Sequence, residues 1–309
     1  MKIFTVVANE NWICDRLVGE WQEYAGQAIS YTDAEVIWVF SPSNWRLVPP
    51  EILKTKKVVV TIHHITPQKF TKDSLREFLI RDKIVDFYHV TCKQTEDFLK
   101  KITKKPIFKQ PFWVNSKNWF SLPKQELRQK YSISQDAFLV GSFQRDTEGY
   151  DLKSPKLEKG PDLFCDIIEK MNNQMDNLQV LLAGWRRQYV INRLEKAGIK
   201  YQYFERPDLS VVNDLYNCLD LYVVSARTEG GPQSIVECAA SKTPIISTDV
   251  GIASAILAPE SIYDPAIEIG KANVDLAHEN VQKYLAPSGF KPFVDFFKTS
   301  FKLQIKKRD

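Results

Sequence analysis

The 309-residue sequence lacks the short spacings that are typical of several common sites. Its five cysteines include no C-x-x-C pair, which excludes the usual zinc and dithiol motifs and indicates buried cytosolic thiols. There is no D-x-D, H-E-x-x-H or EF-hand spacing, so a metal site is disfavoured and neither a metal nor another cofactor is expected. The absence of G-x-G-x-x-G argues against a dinucleotide-dependent dehydrogenase.

Long apolar runs are also missing. No segment approaches the roughly 18 consecutive apolar residues that suggest a membrane span. The opening stretch, MKIFTVVANENW, has no long apolar segment after its lysine, as a secretory signal would. We therefore predict neither a membrane span nor export, and expect a cytoplasmic protein.

Composition and charge place the chain among globular proteins. With 44% hydrophobic and 26% charged residues it is neither disordered nor fibrous, and its length suits two domains. The net charge is only +4, yet the stretch from Glu51 to Lys130 holds 18 Lys and Arg against 8 Asp and Glu, so the remainder is acidic overall. This asymmetry favours an anionic partner for the basic part. We expect no nucleic-acid partner. The lysines expected to share a surface are Lys54, Lys56, Lys57, Lys100, Lys101, Lys104 and Lys105.

Short apolar runs alternate with helical patterns along the chain. The predicted strands are KIFTVVAN, VIWVFS, KVVVTIHH and FYHVTC, then AFLVGSF, QVLLAGW, KYQYF, LYVVSA and TPIIST. Nearly continuous β-branched runs separated by helices are typical of parallel sheets covered on both faces, so both halves are predicted to be α/β. A segment without strand pattern around Pro123 suggests a boundary near residue 130, giving domains 1–130 and 131–309. Aromatic residues at helical spacing after Phe293 predict a closing helix, followed by a basic tail.

The stretch EGGPQSIVE predicts an anion-binding helix start. Pro232 suits the first helical position, because its missing N–H would be unpaired there. Gly230 and Gly231 leave the backbone bare before it, so a ligand can approach the N–H groups of Gln233 and Ser234 and the positive end of the helix.

Two carboxylates flank this helix start. Glu229 lies in the loop, and Glu237 follows in the helix, where side chains lean back toward the amino end. Carboxylates accept hydrogen bonds from sugar hydroxyls while backbone amides bind phosphate, so the site suits a ligand with both groups. The alternative is that Glu229 caps the loop and Glu237 is a solvated helix residue, but the Gly-Gly-Pro context favours the site.

Two further places could bind ligand. Lys159 and Gly160 precede Pro161 at another helix start, which predicts a second anion site. His63 and His64 directly follow a buried strand, at the edge where open α/β sheets bind ligands.

EGGPQSIVECAASKTPIISTDVG resembles the E-x7-E signature of the retaining glycosyltransferases of family four. LRQKYSISQDAFLVGSF and LEKGPDLFCDIIEK resemble the entry and the K-G-x-D helix start of the family's second domain, so the likeness runs from Leu127 to about Leu257. It implies the GT-B fold, with two Rossmann-like domains facing across a cleft and a C-terminal helix that crosses back. It also implies that Glu229 faces the transferred sugar and that Glu237 holds the ribose of the nucleotide.

The resemblance also assigns roles around the diphosphate and in the first part of the chain. An arginine and a lysine of the family clamp the donor diphosphate, and Arg145 and Lys159 fit in kind, although the loop between them is longer than usual. The alternatives to the arginine are Arg186 and Arg187. VVVTIHHIT resembles the family's T-x-H strand end, which makes His63 the candidate beside the donor sugar and His64 the runner-up.

Several positions depart from the family pattern. ANENW replaces a glycine-rich first loop, PFWVNSKNWF has lost a glycine, and Lys242 stands where a helix-ending glycine is usual. These departures leave the acceptor side weakly defined.

The predicted function is a retaining, metal-independent, hexosyltransferase-like enzyme of glycan biosynthesis. Its partners would be a nucleotide-sugar donor and a carbohydrate or lipid-linked acceptor. The alternative is a catalytically silent GT-B protein that binds nucleotide sugar or supports a partner enzyme. An epimerase or phosphorylase is a weaker alternative, the latter because no pyridoxal phosphate lysine is identified.

Overall fold

The computed structural model describes residues 2–7, 9, 13–26, 28–265 and 269–305, the last four through the helix backbone only. The chain forms two compact units. The first unit comprises the described residues of Met1–Trp113 and Ala286–Asp309, and the second comprises those of Val114–Leu285. Most of the predicted ANENW loop and the basic tail lie outside the described residues.

Strands and helices alternate along the described chain. The strands are β1 (Ile3–Val6), β2 (Val36–Val39), β3 (Lys57–Ile62), β4 (Phe87–Val90), β5 (Ile107–Lys109), β6 (Phe138–Ser142), β7 (Leu178–Gly184), β8 (Tyr201–Glu205), β9 (Leu221–Val224) and β10 (Ile245–Ser247). The helices are α1 (Ile13–Ala25), α2 (Pro50–Thr55), α3 (Lys72–Asp82), α4 (Lys93–Leu99), α5 (Lys124–Lys130), α6 (Pro161–Asn172), α7 (Gln188–Ala197), α8 (Leu209–Cys218), α9 (Gln233–Ser241), α10 (Ala253–Ile256), α11 (Val274–Val281) and α12 (Lys291–Ile305).

The first unit is a parallel sheet of five strands in the order β1-β2-β3-β4-β5. Alternate side chains of β2 enter two cores: Ile37 and Val39 pack with residues of α2, α3 and α4, whereas Val36 and Trp38 pack with residues of α1 and α12. Because both faces are covered, the strands have nearly continuous apolar sequences instead of alternating ones.

The closing helix α12 belongs to the first unit, so its assignment to domain 131–309 is corrected. Phe293 and Phe297 are almost completely buried, and their ring centroids lie 5.6 and 5.1 Å from that of Trp38. This packing is stabilised by the burial of apolar surface, which contributes about 25 cal/mol per Å². The predicted return of the C-terminal helix is part of the GT-B fold, which is confirmed.

The second unit is also a parallel sheet of five strands, in the order β10-β9-β6-β7-β8. The chain runs outward from β6 through β7 to β8, and then returns to the other side of β6 with β9 and β10. The direction of strand addition therefore reverses between β6 and β9. Open α/β sheets bind ligands beyond the carboxyl ends of their strands at such a switch point.

The second unit begins at Val114, earlier than the boundary predicted near residue 130. The reason is that the connector is bonded into the second unit: buried Arg128 donates to Cys218 O at 3.0 Å and pairs with Asp220. Asn217 Oδ1 accepts from Leu122 N at 2.8 Å. The absence of a strand pattern indicated a linker, but these long-range bonds make it part of the folded unit.

All nine predicted strands form, and one strand was missed. β5 has only three residues and lies between Pro106 and Pro111, so its sequence reads as a loop. Among the residues that the structure describes, no helix is long and apolar enough to cross a bilayer.

Candidate functional site

Two loops of the second unit meet at the switch point of its sheet. The loop after β6 carries Lys159, the loop after β9 carries Glu229, and Lys159 Nζ forms an ion pair with Glu229 Oε1. Their side chains are 22% and 12% exposed, so the pair is largely withdrawn from water. Two residues 70 positions apart, both singled out by sequence, are thus direct partners.

Backbone contacts fix these loops against each other. Ser225 Oγ donates to Gly160 O at 2.7 Å, and Arg227 N and Thr228 N donate to Glu158 O at 2.8 and 3.1 Å. Gly160 has a φ of 61°, and a Cβ at this position would lie 1.8 Å from Ser225 O. Glycine is therefore required there both for its left-handed conformation and for the close approach.

An exposed ion pair joins the same two loops. The Arg227 guanidinium donates to both carboxylate oxygens of Asp162, at 2.7 and 2.6 Å. Burial raises the pKa of Asp162, but Arg227 and the first amides of α6 outweigh it, so the pKa lies below its usual value. Asp162 is therefore charged at neutral pH and holds Arg227 beside the start of α6.

Both predicted helix starts are present. α6 begins at Pro161 as expected, and no side chain caps it. α9 begins at Gln233, so Pro232 is the N-cap and not the first helical residue, because its ψ of 115° is not helical. No side chain caps α9 either, while Gln233 and Ser234 of its first turn are partly exposed. Gly230, by contrast, is buried. The open start of α9 is suited to bind an anion, whereas at the start of α6 the Asp162 carboxylate already accepts from the first amides.

Glu237 is buried, which contradicts the alternative of a solvated helix residue. It is 6% exposed, and its Oε2 accepts a hydrogen bond from Tyr216 OH at 2.9 Å. Burial and then the nearby Glu237 carboxylate raise the pKa of Tyr216 well above its usual value, so the phenol stays protonated and donates. Tyr216 thereby positions the Glu237 carboxylate.

Positive charges gather near the Lys159–Glu229 pair. Burial, followed by repulsion from Lys159 and Arg145, lowers the pKa of Lys156. Burial, followed by repulsion from Arg186, lowers the pKa of Arg145. Crowded cations of this kind are stabilised by an incoming anion, which relieves their repulsion.

The two alternatives to Arg145 have different environments. Arg187 is completely buried and forms an ion pair with Asp146 at 3.1 Å, so it holds the loops after β6 and β7 together and is inaccessible to a ligand. Arg186 is 8% exposed and donates to Gly149 O. Arg145 donates through Nε to Thr147 O at 2.8 Å and is partly exposed. Arg145 thus remains the better candidate for a diphosphate.

Two residues near these cations were missed by the sequence reasoning. Lys156 lies three positions before Lys159 in the same loop, which was the available signal. Trp185 follows β7 and is 39% exposed, with the Arg145, Arg186 and Arg206 guanidinium carbons 5.7, 5.3 and 4.6 Å from its ring centroid. Only the sheet brings the end of β7 beside the end of β6.

The candidate histidines belong to the first unit. His63 follows β3, and its Nε2 lies 2.7 Å from Phe40 O and 3.5 Å from Cys14 Sγ. His64 is exposed. His89 is fully buried, and burial lowers its pKa to about 3. Its Nδ1 accepts from Thr61 while Nε2 donates to Gln110 O at 2.8 Å, so it is a core residue.

Comparisons with known proteins agree with this architecture. Residues 152–270 match the family model of glycosyl transferases group 1. No curated protein sequence matches the chain.

Solved structures are similar over nearly the whole chain. Sucrose-phosphate synthase from Thermosynechococcus elongatus has a TM-score of 0.69 at 15% identity, covering 94% of this chain and 77% of that one. Anabaena Alr3699/HepE, in complex with UDP and glucose, has a TM-score of 0.61 at 13% identity, covering 91% and 89%. The GtfA/B complex has a TM-score of 0.58 at 15% identity, covering 85% and 56%.

At these sequence identities the similarity to solved structures shows only the fold. The match of residues 152–270 to the family model supports a relation to glycosyl transferases group 1. Family four, retention and the E-x7-E roles stay predictions. The domain match and the fold together support a GT-B glycosyltransferase.

Proposed function

We propose that this protein transfers a sugar from a nucleotide-sugar donor to a glycan, lipid or other acceptor, with retention of configuration and without a metal. The observation that carries the proposal is the Lys159–Glu229 pair at the switch point of the second sheet, beside the starts of α6 and α9, of which that of α9 is uncapped. Backbone amides and lysine suit the diphosphate, and carboxylates suit the hydroxyl groups of sugars. The UDP and glucose bound by HepE make uridine diphosphate sugars the first donors to test.

The reaction breaks the bond between the sugar's anomeric carbon and the diphosphate oxygen, and forms a bond from that carbon to an acceptor oxygen. Negative charge grows on the diphosphate as it leaves. Lys159, Arg145 and the amino ends of α6 and α9 neutralise that charge, which lowers the barrier most if they are already in place. The acceptor's proton leaves with the diphosphate or enters solvent.

The two glutamates take different parts in this scheme. Glu229 faces the transferred sugar and orients Lys159, while Glu237, held by Tyr216, accepts from the ribose of the nucleotide. His63 is proposed to contribute to the surroundings of the donor sugar. Retention rests on the resemblance to family four and is tested by the anomeric configuration of the product.

A second candidate is a silent GT-B protein that supports a partner. Similarity to the GtfA/B complex, an assembly, favours this alternative. Such a protein would bind a nucleotide sugar without turnover.

Thermal unfolding with a panel of nucleoside diphosphates and nucleotide sugars tests binding first. A ligand at about 100 times its dissociation constant adds roughly 2.7 kcal/mol to the free energy of unfolding. Release of the diphosphate, measured with and without candidate acceptors, then tests turnover. Stabilisation with turnover supports the transferase, stabilisation alone supports the silent protein, and no stabilisation by any nucleotide contradicts both.

A further inference from the structure

A pocket of about 310 Å³ lies in the first unit, at the carboxyl end of β3. It is formed by the end of β3, the turn that follows and one side of α3, and we call it the β3 pocket. Ile65, Phe70 and Phe78 give it apolar walls, whereas Lys69 and Arg81 give it positive charge.

Arg81 is the unusual residue of this pocket. It lies in the last turn of α3 and is only 9% exposed. Its guanidinium carbon lies 5.2 Å from the Phe78 ring centroid, and Nη1 donates to Pro42 O at 3.2 Å. Its Nε is buried and has no hydrogen-bond partner among the described residues. Since a guanidinium stays protonated in proteins, Arg81 keeps its positive charge in this buried position, and its Nε–H is an unused donor.

The carboxylates nearest to Arg81 along α3 bond to other groups. Glu77 forms an ion pair with Arg46 at 2.7 Å, and Asp82 accepts a hydrogen bond from Thr103 at 2.7 Å. Burial lowers the pKa of Arg81 although Tyr88 and both carboxylates raise it, so desolvation outweighs its neighbours. A buried cation without a matched anion is costly, and an anion in the pocket would remove that cost.

We propose that the β3 pocket binds the carboxylate or phosphate group of a sugar-sized molecule, with Arg81 as the partner of the anion. The fork of the guanidinium matches both anions. The volume is at the lower end of ligand pockets, which begin at about 300 Å³, and the apolar wall of Ile65 and Phe70 suits a ring. This binding does not rest on the proposed transferase activity.

Titration with glucuronate, glucose 6-phosphate and neutral glucose tests the proposal. The readouts are calorimetry and the ¹⁵N NMR resonance of the Arg81 Nε–H in the full chain. We expect both anionic sugars to bind and to shift this resonance, and glucose to bind roughly tenfold more weakly or worse.

Variants assign the effect to the charge. Arg81→Gln should lower the affinity for the anionic sugars roughly tenfold or more. Arg81→Lys should lower this affinity less, because lysine keeps the positive charge but lacks the forked donors of the guanidinium. The matched control is Arg76→Gln on the same helix, since Arg76 is exposed and already paired with Asp73 at 3.3 Å. It should leave the affinities unchanged.

Three results would overturn the proposal: no binding of either anionic sugar, equal binding of glucose and glucuronate, or unchanged affinity in Arg81→Gln. If Arg81→Gln does not fold, Lys69→Gln replaces it in the test and should lower the affinity for the anionic sugars several-fold. A transfer assay then separates two sources of the anion. An anionic acceptor is consumed, whereas an anionic effector changes the rate and is recovered.

Discussion

Lys159 Nζ, in the loop after β6, pairs with Glu229 Oε1, in the loop after β9, and both side chains are mostly buried. A diphosphate that approaches Lys159 therefore meets a lysine whose charge is already balanced. It must share Lys159 with Glu229 or displace that carboxylate. The pair thus couples the residue proposed to face the sugar with the residue proposed to neutralise the leaving group.

Replacing Lys159 should impair the chemical step. We expect Lys159→Ala to lower kcat/KM roughly tenfold to several-hundredfold, since about 1.4 kcal/mol corresponds to a factor of ten. Glu229→Gln and the double variant complete a cycle that measures the coupling between the two residues. Near-normal turnover of Lys159→Ala would leave the lysine with a structural role only.

Glu237 should bind the nucleotide. Glu237→Ala is expected to cost about 1.5 to 3 kcal/mol of nucleotide affinity, measured by calorimetry, through loss of a charge-assisted hydrogen bond. Tyr216→Phe is the matched control, because it removes the hydrogen bond at 2.9 Å and leaves the carboxylate. If both variants lose the same affinity, the effect comes from misplacement of the carboxylate; if neither loses any, Glu237 does not touch the nucleotide.

Activity should survive the removal of divalent ions. The proposed mechanism neutralises the diphosphate with Lys159, Arg145 and the two helix ends, so no charge is required from a metal. The measurement is diphosphate release in EDTA, followed by addition of magnesium or manganese. Loss of activity in EDTA and its recovery with either ion would contradict this mechanism.

Acid should destabilise the first unit through His89. Its folded pKa is about 3, whereas an unfolded histidine titrates near 6.5, so below that pH only the unfolded chain takes up this proton. The contribution of His89 to the free energy of unfolding is therefore fully present above about pH 6.5 and is lost as the pH falls from there toward 3. The loss is about 1.4 kcal/mol between pH 7.5 and 5.5.

Urea unfolding followed by tryptophan fluorescence measures this loss, because Trp21, Trp38 and Trp113 lie in the core of the first unit. In His89→Gln the decrease between the two pH values should be smaller by about 1.4 kcal/mol. Leu99→Ala, which destabilises the same unit by opening a cavity, should keep the wild-type pH dependence. An unchanged pH dependence in His89→Gln would disprove the assignment.

The basic surface of the first unit is proposed to bind anionic membranes. Lys57 begins β3, and Lys104 and Lys105 precede β5, so these lysines lie at the amino edge of the sheet, opposite the edge that carries His63. Binding to anionic liposomes should exceed binding to neutral ones and weaken with salt.

Charge reversal provides the test. Lys101→Glu with Lys104→Glu should reduce liposome binding by roughly fivefold or more per lysine. The control pair, Lys196→Glu with Lys200→Glu, alters exposed lysines of the second unit and should have little effect. Negligible sedimentation with both liposome types at low salt would leave only a soluble acceptor.

The strands were predictable because their signal is local. Nine apolar runs became nine strands, since a parallel strand covered on both faces needs apolar residues at nearly every position. The helix start at Pro161 follows from local preferences in the same way. β5 was missed because three residues between prolines carry too little pattern.

The domain boundary and the place of α12 needed the tertiary structure. The connector reads as a loop, yet Arg128 bonds it to Cys218 and Asp220, far away in the sequence. α12 is recognisable as a helix, but only the fold decides that Phe293 and Phe297 pack against Trp38.

The candidate site divides in the same manner. The sequence alone indicated that Lys159 and Glu229 lie just before helix starts that follow strands, with Glu237 inside the second of these helices, because glycine and proline mark such starts locally. Only the strand order β10-β9-β6-β7-β8 decided that the loops after β6 and β9 are neighbours, so that Lys159 meets Glu229. The same holds for Tyr216 beside Glu237 and for the buried charge of Arg81. Periodicity specifies which face of an element is buried, whereas pairing between distant elements is set by the packing of the whole sheet.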